Sequence, residues 1–415
     1  MRLLYTLFIQ IYTFSITLYA AVNDKANLWI NGRKDWKKKL QSVNFKGQDI
    51  YWFHCASLGE FEQARPLLEN IKEDKKNKIL LTFFSPSGYE LRKNYKMADW
   101  VLYLPADLPK NAEYFITAVK PKAVFFIKYE FWFNYLFELK KKDIPVFLVS
   151  GIFRENHYFF RWYGIWARKQ LGAFSCFFLQ NQKSLELLNN VGFKNAIVTG
   201  DTRFDRVLQI MKERKHMELL DMFVKNNMVT VAGSTYVEDE KLLKKANNFL
   251  EKSHLKVKFI IAPHVVTQNR IREIEGIFGI DQCVRFSIIK AEDMHKKVLI
   301  IDNIGMLSSL YGYATLAYIG GGLGKGIHNT LEAAVYGIPL IFGNKYHKFD
   351  EAKALIETGA AFVVTNEVAL NNKLLSLFSD EKLRKSIGLK SSNYVTEQKG
   401  SLAKIIDELK MRNIL

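Results

Sequence analysis

The stretch YWFHCASLGEFEQARPLLENI, residues 51–71, contains the junction that decides the fold. A short apolar run ends at Cys55, a glycine follows at Gly59, and apolar residues then recur at helical spacing from Phe61. A strand that leads directly into a helix is the repeating unit of parallel sheets covered by helices. Glu60 places a carboxylate at this junction, at the start of the predicted helix.

The same alternation of strand-length apolar runs and helical spacing recurs along the chain. The candidate strands are residues 50–53, 79–84, 101–104, 123–127, 146–149, 176–179 and 196–199, and then 228–232, 257–261, 298–301, 316–319, 339–342 and 361–364. A polar, helix-favouring segment at 206–227 separates the two series. The pattern predicts two similar α/β domains in tandem, at 23–205 and 228–395, followed by a C-terminal helix within 396–415 that packs through Leu402, Ile405, Ile406 and Leu409.

The composition indicates a large, basic, cysteine-poor protein. At 415 residues, 48% of them apolar, the chain is too long for one ordinary core. The formal charge of +18 favours an anionic partner, such as nucleic acid, phospholipid headgroups or a phosphorylated small molecule, although it is also compatible with a role in solubility alone. The 3 cysteines form no CxxC pair, so neither a disulfide framework nor a zinc site is expected, and a reducing compartment fits best.

The N-terminus carries an uncharged apolar segment. Residues 3–22 are 20 consecutive positions without a charge, just enough for a helix to cross the hydrocarbon layer. We expect an uncleaved membrane anchor at 1–22; a helix lying in the interface and a cleaved signal peptide are the alternatives, and Gln10 weakens the span. The basic cluster after it, from Arg33 to Lys39, predicts that the rest of the chain lies in the cytoplasm.

Four loops after predicted strands have the composition of anion-binding sites. They contain Gly233, Ser234 and Thr235; Pro263 and His264; residues 302–310; and the glycine-rich stretch 318–343, in which Asn329 and Glu332 share a helical turn. Glycines after strands usually only make turns, but this combination suits a nucleotide. The absence of a Walker A motif and of GxGxxG after a strand disfavours a phosphate-cleaving ATPase and a dinucleotide oxidoreductase.

Two carboxylates are candidate catalytic groups. Glu60 is either a favourable charge on a helix dipole or a general base. Glu130, in the sequence YEFWFN, needs a partner if its aromatic neighbours bury it, and a structural hydrogen bond explains it as well as catalysis does. No HExxH, cysteine cluster or DxD is present, so backbone amides and Arg203, His264 or Lys325 would have to stabilise a leaving phosphate.

Several stretches together resemble the 3-deoxy-D-manno-octulosonic acid (Kdo) transferases of lipopolysaccharide synthesis, glycosyltransferase family 30. They are FHCASLGEFEQARPLL, YLPADLP, YEFWFN, TGDTRFDRV, AGSTYVEDE, IDNIGMLSSLY and GGGLGKGIHNTLEAAVYGIPLIFG, in the family's order. The resemblance implies a GT-B fold, with two Rossmann-like domains, a cleft between them and an N-terminal membrane segment. It also implies a metal-independent, inverting transfer from CMP-Kdo to the phosphorylated lipid A precursor at the inner membrane, with no cofactor and no nucleic acid.

The resemblance assigns roles to individual residues. It makes Glu60 the catalytic base, and Glu130 and Arg203 stabilisers of the transition state. It implies that CMP-Kdo is held by the two loops of the second domain already described, Gly233 to Thr235 and Pro263 with His264, and by Gly305, Met306, Leu307, Asn329, Thr330, Leu331 and Glu332. Departures from the family's pattern at Leu58, Phe133, Arg203, Met306, Ile327 and residues 342–352 bear on the contacts to CMP more than on the reaction.

Two other functions remain compatible with the residues. One is a different GT-B enzyme that uses a UDP-sugar on a lipid or peptidoglycan intermediate. The other is a non-catalytic, membrane-anchored basic module that binds nucleic acid or anionic lipid, against which the acids Glu60 and Glu130 argue because both repel phosphate.

Overall fold

The chain divides into two compact units. The computed structural model describes residues 1–214 and 216–415. Unit 1 comprises Met1–Arg206 together with Lys399–Leu415, and unit 2 comprises Val207–Gln398. The C-terminal segment therefore belongs to the same unit as the N-terminus.

The chain up to residue 212 contains seven strands and ten helices among its described elements. In order they are α1 (Arg2–Tyr19), α2 (Asp24–Arg33), α3 (Trp36–Gln41), β1 (Ile50–Cys55), α4 (Leu58–Glu73), β2 (Lys78–Phe83), α5 (Pro86–Arg92), β3 (Trp100–Tyr103), α6 (Pro109–Val119), β4 (Ala123–Ile127), α7 (Phe133–Lys141), β5 (Val146–Gly151), α8 (Ile165–Leu171), β6 (Cys176–Leu179), α9 (Gln182–Asn190), β7 (Ala196–Val198) and α10 (Thr202–Lys212).

The rest of the chain repeats the alternation of strand and helix. Its elements are α11 (Glu218–Val224), β8 (Met228–Thr235), α12 (Val237–Lys252), β9 (Val257–Pro263), α13 (Gln268–Phe278), β10 (Cys283–Arg285), β11 (Val298–Ile300), α14 (Leu307–Leu310), β12 (Leu316–Ile319), α15 (Leu331–Ala334), β13 (Leu340–Phe342), α16 (Asp350–Glu357), β14 (Ala361–Val363), α17 (Glu367–Ser379), α18 (Glu381–Glu397) and α19 (Ser401–Met411).

Unit 1 is built on a seven-stranded parallel sheet. The strand order is β3-β2-β1-β4-β5-β6-β7, with Phe53 of β1 opposite Phe125 of β4. Successive residues of β1 enter opposite cores: Trp52 packs on one face, and Tyr51 and Phe53 pack on the other. Both faces are covered, as the continuous apolar runs predict. The order reverses between β1 and β4, and ligands of such sheets bind beyond the strand ends at this reversal.

Unit 2 has a second seven-stranded parallel sheet. Its order is β10-β11-β9-β8-β12-β13-β14, so the reversal lies between β8 and β12. Every candidate strand predicted from the sequence is present in the two sheets. The edge strand β10 was not predicted from the sequence. It pairs with β11 and has three residues, which are too few to show an apolar period.

The C-terminal helix α19 packs on unit 1. Ile405 and Leu409 are fully buried in the core that contains Tyr51 and Phe53, and Leu402 and Ile406 pack against its edge. The spacing of these four residues predicts this packing. Tyr51 Oη donates a 2.9 Å hydrogen bond to the carbonyl of Ile414, just beyond the helix.

The predicted membrane-spanning helix at 1–22 is not confirmed. No helix in the described residues is long and apolar enough to cross a membrane. Helix α1 instead lies against unit 1, where Tyr5 Oη donates a 2.6 Å hydrogen bond to Asp107 and the Tyr5 ring packs on Phe133. Arg33, the first residue of the basic cluster, is buried and donates to the carbonyls of Phe84 and Leu104.

Candidate active site

The two predicted catalytic carboxylates lie at the strand-order reversal of unit 1. Glu60 follows β1, and Glu130 follows β4, its neighbour in the sheet. Parallel strands end at the same edge, so the topology brings together two acids that are 70 residues apart in the sequence (130 − 60). This is the edge at which a parallel sheet binds its ligand.

Glu60 is part of a helix cap. Ser57 precedes α4, and its hydroxyl accepts a hydrogen bond from the Gly59 amide. The Ser57 hydroxyl also contacts Glu60 Oε2. Glu60 thus lies in the first turn of α4, half-buried, where an acidic side chain interacts favourably with the helix dipole. This geometry agrees with the interpretation of Glu60 as a favourable charge on the helix dipole. It also leaves the half-buried carboxylate within reach of a ligand.

Glu130 has the partners that its burial requires. The side chain is 8% exposed, and its Oε2 accepts a 2.6 Å hydrogen bond from Trp132 Nε1. His54 Nε2 lies 3.2 Å from the same oxygen. His54 is not among the residues predicted from the sequence; the only signal for it was a histidine inside the apolar strand β1.

Arg203 reaches this edge by an indirect route. It follows β7, the far edge strand, but Gln63 of α4 donates a 3.0 Å hydrogen bond to Asp201 and thereby joins this segment to α4. The Arg203 guanidinium pairs with Asp201 at 2.8 Å. Burial alone would raise the pKa of Asp201, but the charge of Arg203 holds it below its usual value. Asp201 was missed, although an acid directly after a strand was a readable signal.

Two loops meet at the strand-order reversal of unit 2. The Gly321 amide and the Tyr236 amide donate to Asp239 at 2.8 and 3.0 Å, and Tyr318 Oη donates to the same carboxylate at 2.9 Å. A Cβ at Gly320 would lie 2.4 Å from the carbonyl oxygen of Ser234, so only glycine fits there. The glycine-rich loop and the end of β8 are therefore held side by side by one buried acid.

The residues at the end of β8 that are predicted to bind CMP-Kdo, Gly233 to Thr235, lie in different environments. Thr235 is buried, and its hydroxyl donates a 2.7 Å hydrogen bond to Glu240. Ser234 has a positive φ of 55°, a strained conformation for a residue with a side chain. Gly233 lies against the Gly305, Met306, Leu307 turn, because a Cβ there would come within 2.8 Å of Leu307. The Gly233 to Thr235 segment and the Gly305 to Leu307 turn are thus neighbours in space.

Three aromatic rings form a cluster at the same edge. The rings of Tyr236, His264 and His328 lie nearly parallel, with centroids 4.5 to 5.8 Å apart, and Lys325 Nζ lies 5.1 Å from the Tyr236 ring. Burial, and then the charge of Lys325, lowers the pKa of His264. Burial, and then His264, lowers the pKa of His328 to about 4, so both imidazoles are neutral at pH 7. Tyr236 and His328 are additions to the predicted site.

The Asn329 to Glu332 segment caps α15. Asn329 Nδ2 donates to Glu332 Oε1 at 2.9 Å, and Asn329 Oδ1 accepts from the Leu331 amide at 3.1 Å. Thr330 and Leu331 are fully buried, so their side chains support the loop from inside. Pro263 ends β9, and the His264 amide donates to the Thr235 carbonyl at 3.0 Å, which places this pair beside β8.

The chain is similar to known Kdo transferases over most of its length. The family model described as 3-deoxy-D-manno-octulosonic-acid transferase matches residues 34–206. A 3-deoxy-D-manno-octulosonic acid transferase of Aquifex aeolicus is 30% identical over 344 residues, which cover 82% of this chain and 88% of the relative. The enzyme of the same description from Haemophilus influenzae is 25% identical and covers 86% of each chain.

Solved structures show the fold. The UDP-GlcNAc 2-epimerase from Neisseria meningitidis bound to UDP-GlcNAc superposes with a TM-score of 0.61 at 17% identity, covering 88% of this chain and 100% of that one. With its two parallel sheets, the chain has the α/β architecture of the GT-B class that the sequence predicts. It belongs to the 3-deoxy-D-manno-octulosonic acid transferase family and is a glycosyltransferase.

Proposed function

We propose that this protein transfers Kdo from CMP-Kdo to a hydroxyl of the phosphorylated lipid A precursor, lipid IVA, with inversion and without a metal ion. The observation that carries the proposal is the pair of carboxylates, Glu60 and Glu130, at the strand-order reversal of a chain that belongs to the Kdo transferase family. Unit 1 contains the two acids, and the candidate loops for the donor are in unit 2.

Glu60 acts as the general base in this proposal. The acceptor oxygen forms a bond to the anomeric carbon of Kdo, CMP departs with the electrons of the broken bond, and Glu60 takes the hydroxyl proton. The contact with Ser57 and the position at the start of α4 hold the carboxylate in place. The hydroxyl becomes more acidic as its oxygen bonds to the anomeric carbon, so the proton moves late.

Glu130 and Arg203 stabilise charge in the transition state. A glycosyl centre gains positive character as its leaving group departs, and a carboxylate near it is favourable. Glu130 is held for this role by Trp132 and His54. Arg203 offers the opposite charge, for the phosphate of the donor or of the acceptor, and Asp201 fixes its direction.

The donor loops of unit 2 suit an anionic nucleotide. The glycine-rich loop and the Gly233 to Thr235 segment lie side by side, and their glycines allow a phosphate to approach the backbone closely. The cluster of Tyr236, His264 and His328 offers flat rings and neutral imidazole donors, with Lys325 as a nearby cation. These features support the binding of CMP-Kdo without assigning each contact.

A membrane surface is the proposed partner of unit 1, with the protein on the cytoplasmic side of the inner membrane. The outer face of α1 is an apolar stripe formed by Leu3, Leu7, Ile11, Phe14 and Leu18, all exposed. In the segment 153–170 the sequence allows either core packing or contact with the membrane. Phe153 and Phe159 are core residues, whereas Trp162, Tyr163 and Ile165 are exposed beside α1. Such surfaces favour a helix that lies in the interface.

The Glu60→Gln variant tests the proposal. Incubation with CMP-Kdo and a tetraacylated, phosphorylated lipid A precursor, followed by mass measurement, should show Kdo addition by the wild type. Removal of a general base should lower the rate by about 100-fold or more. CMP should still raise the melting temperature of the variant, and UDP should not, because only a bound ligand stabilises the folded state.

Glu73→Gln is the matched control, since it makes the same change at an exposed position of the same helix. It should keep the wild-type rate. Normal transfer by Glu60→Gln would exclude Glu60 as the base. Transfer from a UDP-sugar instead of CMP-Kdo would show that the proposed donor class is wrong.

A further inference from the structure

We infer that His54 is a positioning residue for the transfer reaction: its imidazole restrains the carboxylate of Glu130 through the close contact of Nε2 with Oε2, and Thr82 and Trp52 hold the ring in place. The inference rests on the proposed function, because His54 affects the rate only through Glu130, which is proposed there to stabilise the transition state. His54 does not itself contact substrate in this account.

The position of His54 requires an explanation because its burial is costly. It is fully buried on the central strand β1, among Trp52 and Phe126 and near Trp132. A polar ring in an aromatic core destabilises the fold unless both of its nitrogens have partners. A hydrophobic residue at this position would pack without that requirement. The histidine is thus best explained by what its nitrogens contact.

Both ring nitrogens face polar atoms, and Nδ1 makes a hydrogen bond. Nδ1 lies 2.9 Å from Thr82 Oγ1, on the neighbouring strand β2. Nε2 lies 3.2 Å from Glu130 Oε2. The imidazole therefore connects a buried hydroxyl to a candidate catalytic acid across the strand-order reversal.

The indole of Trp52 indicates which atom donates in the hydrogen bond between Thr82 and His54. Trp52 Nε1 can only donate, and it donates to Thr82 Oγ1 at 2.8 Å. The Thr82 hydroxyl keeps one proton to donate, and Nδ1 at 2.9 Å is closer than its other acceptor, the Phe53 carbonyl at 3.3 Å. In this arrangement Nδ1 accepts, which leaves Nε2 as the nitrogen that presents a proton toward Glu130 Oε2 at 3.2 Å.

Two rigid donors consequently hold one oxygen of Glu130. His54 is fixed by the strand, and Trp132 stands directly before α7. Their N–H groups approach the same Oε2, which restricts rotation of the carboxylate. Loss of one donor lets the group move, and misplacement of a catalytic group by about 1 Å can cost about 100-fold in rate.

Two amide substitutions separate this role from packing. The amide nitrogen of glutamine reaches about as far from the backbone as histidine Nε2, whereas that of asparagine ends near Nδ1. His54→Gln should keep the donor to Glu130 and stay within about 10-fold of the wild-type kcat, and His54→Asn should lose about 100-fold. The KM for CMP-Kdo and the CMP-induced rise in melting temperature should change in neither variant. Equal loss in both variants would overturn the inference.

A double-mutant cycle tests whether His54 acts through Glu130. In a Glu130→Gln background, His54→Asn should cause no further loss of kcat, because the carboxylate it positions is gone. A further 100-fold loss, as expected of independent sites, would contradict the inference.

A spectroscopic measurement needs no activity and so separates this inference from the proposed function. In protein labelled with 15N-histidine, the two ring nitrogens of His54, assigned by their absence in His54→Asn, should show Nε2 protonated and Nδ1 bare. Thr82→Val, which removes the donor to Nδ1, should shift the Nδ1 resonance. A protonated Nδ1 in the wild type would overturn the inference even if Kdo transfer occurs. Absence of transfer with the expected tautomer would overturn only the proposed function.

Discussion

Asp107 is a buried carboxylate whose protonation affects stability. It accepts hydrogen bonds from Tyr5 Oη and from the amides of Asn134 and Tyr135, at 2.6 to 3.1 Å. Burial raises its pKa from 3.8 to about 6, although these donors oppose the shift. The folded protein therefore binds this proton more tightly than the unfolded chain does. Stability from this group is complete below pH 3.8 and declines as the pH rises through about 6.

The pH dependence of Asp107→Asn checks this sign. Relative to the variant, the wild type should lose up to about 3 kcal/mol of unfolding free energy between about pH 4 and pH 7, as denaturant unfolding at several pH values would show. Asp74→Asn also removes one negative charge, but at an exposed position, and controls for net charge. A difference between wild type and Asp107→Asn that is the same at every pH would mean that the carboxylate titrates normally.

Single residues could be predicted only where the adjacent sequence shows in which element they lie. Glu60 and Glu130 follow apolar runs, so the sequence places both at strand ends. His54 becomes notable only through a partner far along the chain, Glu130, and no local pattern reveals such a pair. Likewise, the buried state of Leu331 and the inward hydroxyl of Thr235 depend on neighbours from other elements.

Helix α19 depends on one acid from another element. Asp205 of α10 accepts hydrogen bonds from the Gly400 amide at 2.8 Å and the Leu402 amide at 3.0 Å. These are amides at the start of α19 that have no partner within the helix. Asp205→Ala should destabilise the protein by about 1 to 2 kcal/mol, as for other helix caps.

Hydrogen exchange locates this effect. Amides of α19 should exchange faster in Asp205→Ala, whereas Asp407→Ala, an exposed change on the same helix, should leave them protected. Unchanged protection of α19 in Asp205→Ala would show that packing of Ile405 and Leu409 alone holds the helix.

Strands and helices could be predicted when their own sequence is sufficient to determine their type and bounds. Strands β4, β6 and β12 have the predicted bounds because each is a continuous apolar run buried on both faces. Helix α1 shows the limit of this approach. Its apolar run looks like a membrane span, but the hydrogen bond from Tyr5 to Asp107 and the contact of Arg2 with Asn134 attach one face to unit 1. Attachment of this kind depends on residues more than 100 positions away.

At the scale of the whole molecule, charge and an apolar stripe act together. The formal charge of +18 attracts an anionic surface over about one Debye length, roughly 10 Å at 0.1 M salt. Lys34, between α2 and α3, and Lys37, Lys38 and Lys39 of α3 follow α1 in the chain and are exposed. We propose that charge brings the protein to the membrane surface and that apolar contact then holds it there.

Flotation with vesicles that contain anionic lipid separates the two contributions. Binding of the wild type should weaken as salt rises from about 0.1 to 0.5 M, because the surface potential is screened. The double variant Leu7→Gln with Phe14→Gln, which changes two exposed residues of the stripe, should bind at least about 10-fold more weakly at every salt concentration, since each buried apolar side chain contributes about 1 kcal/mol or more. Ile280→Gln, an equally exposed apolar position of unit 2, is the matched control and should bind like the wild type. If the control and the double variant lose binding equally, α1 is not the contact surface, and if neither loses binding, charge alone accounts for the association.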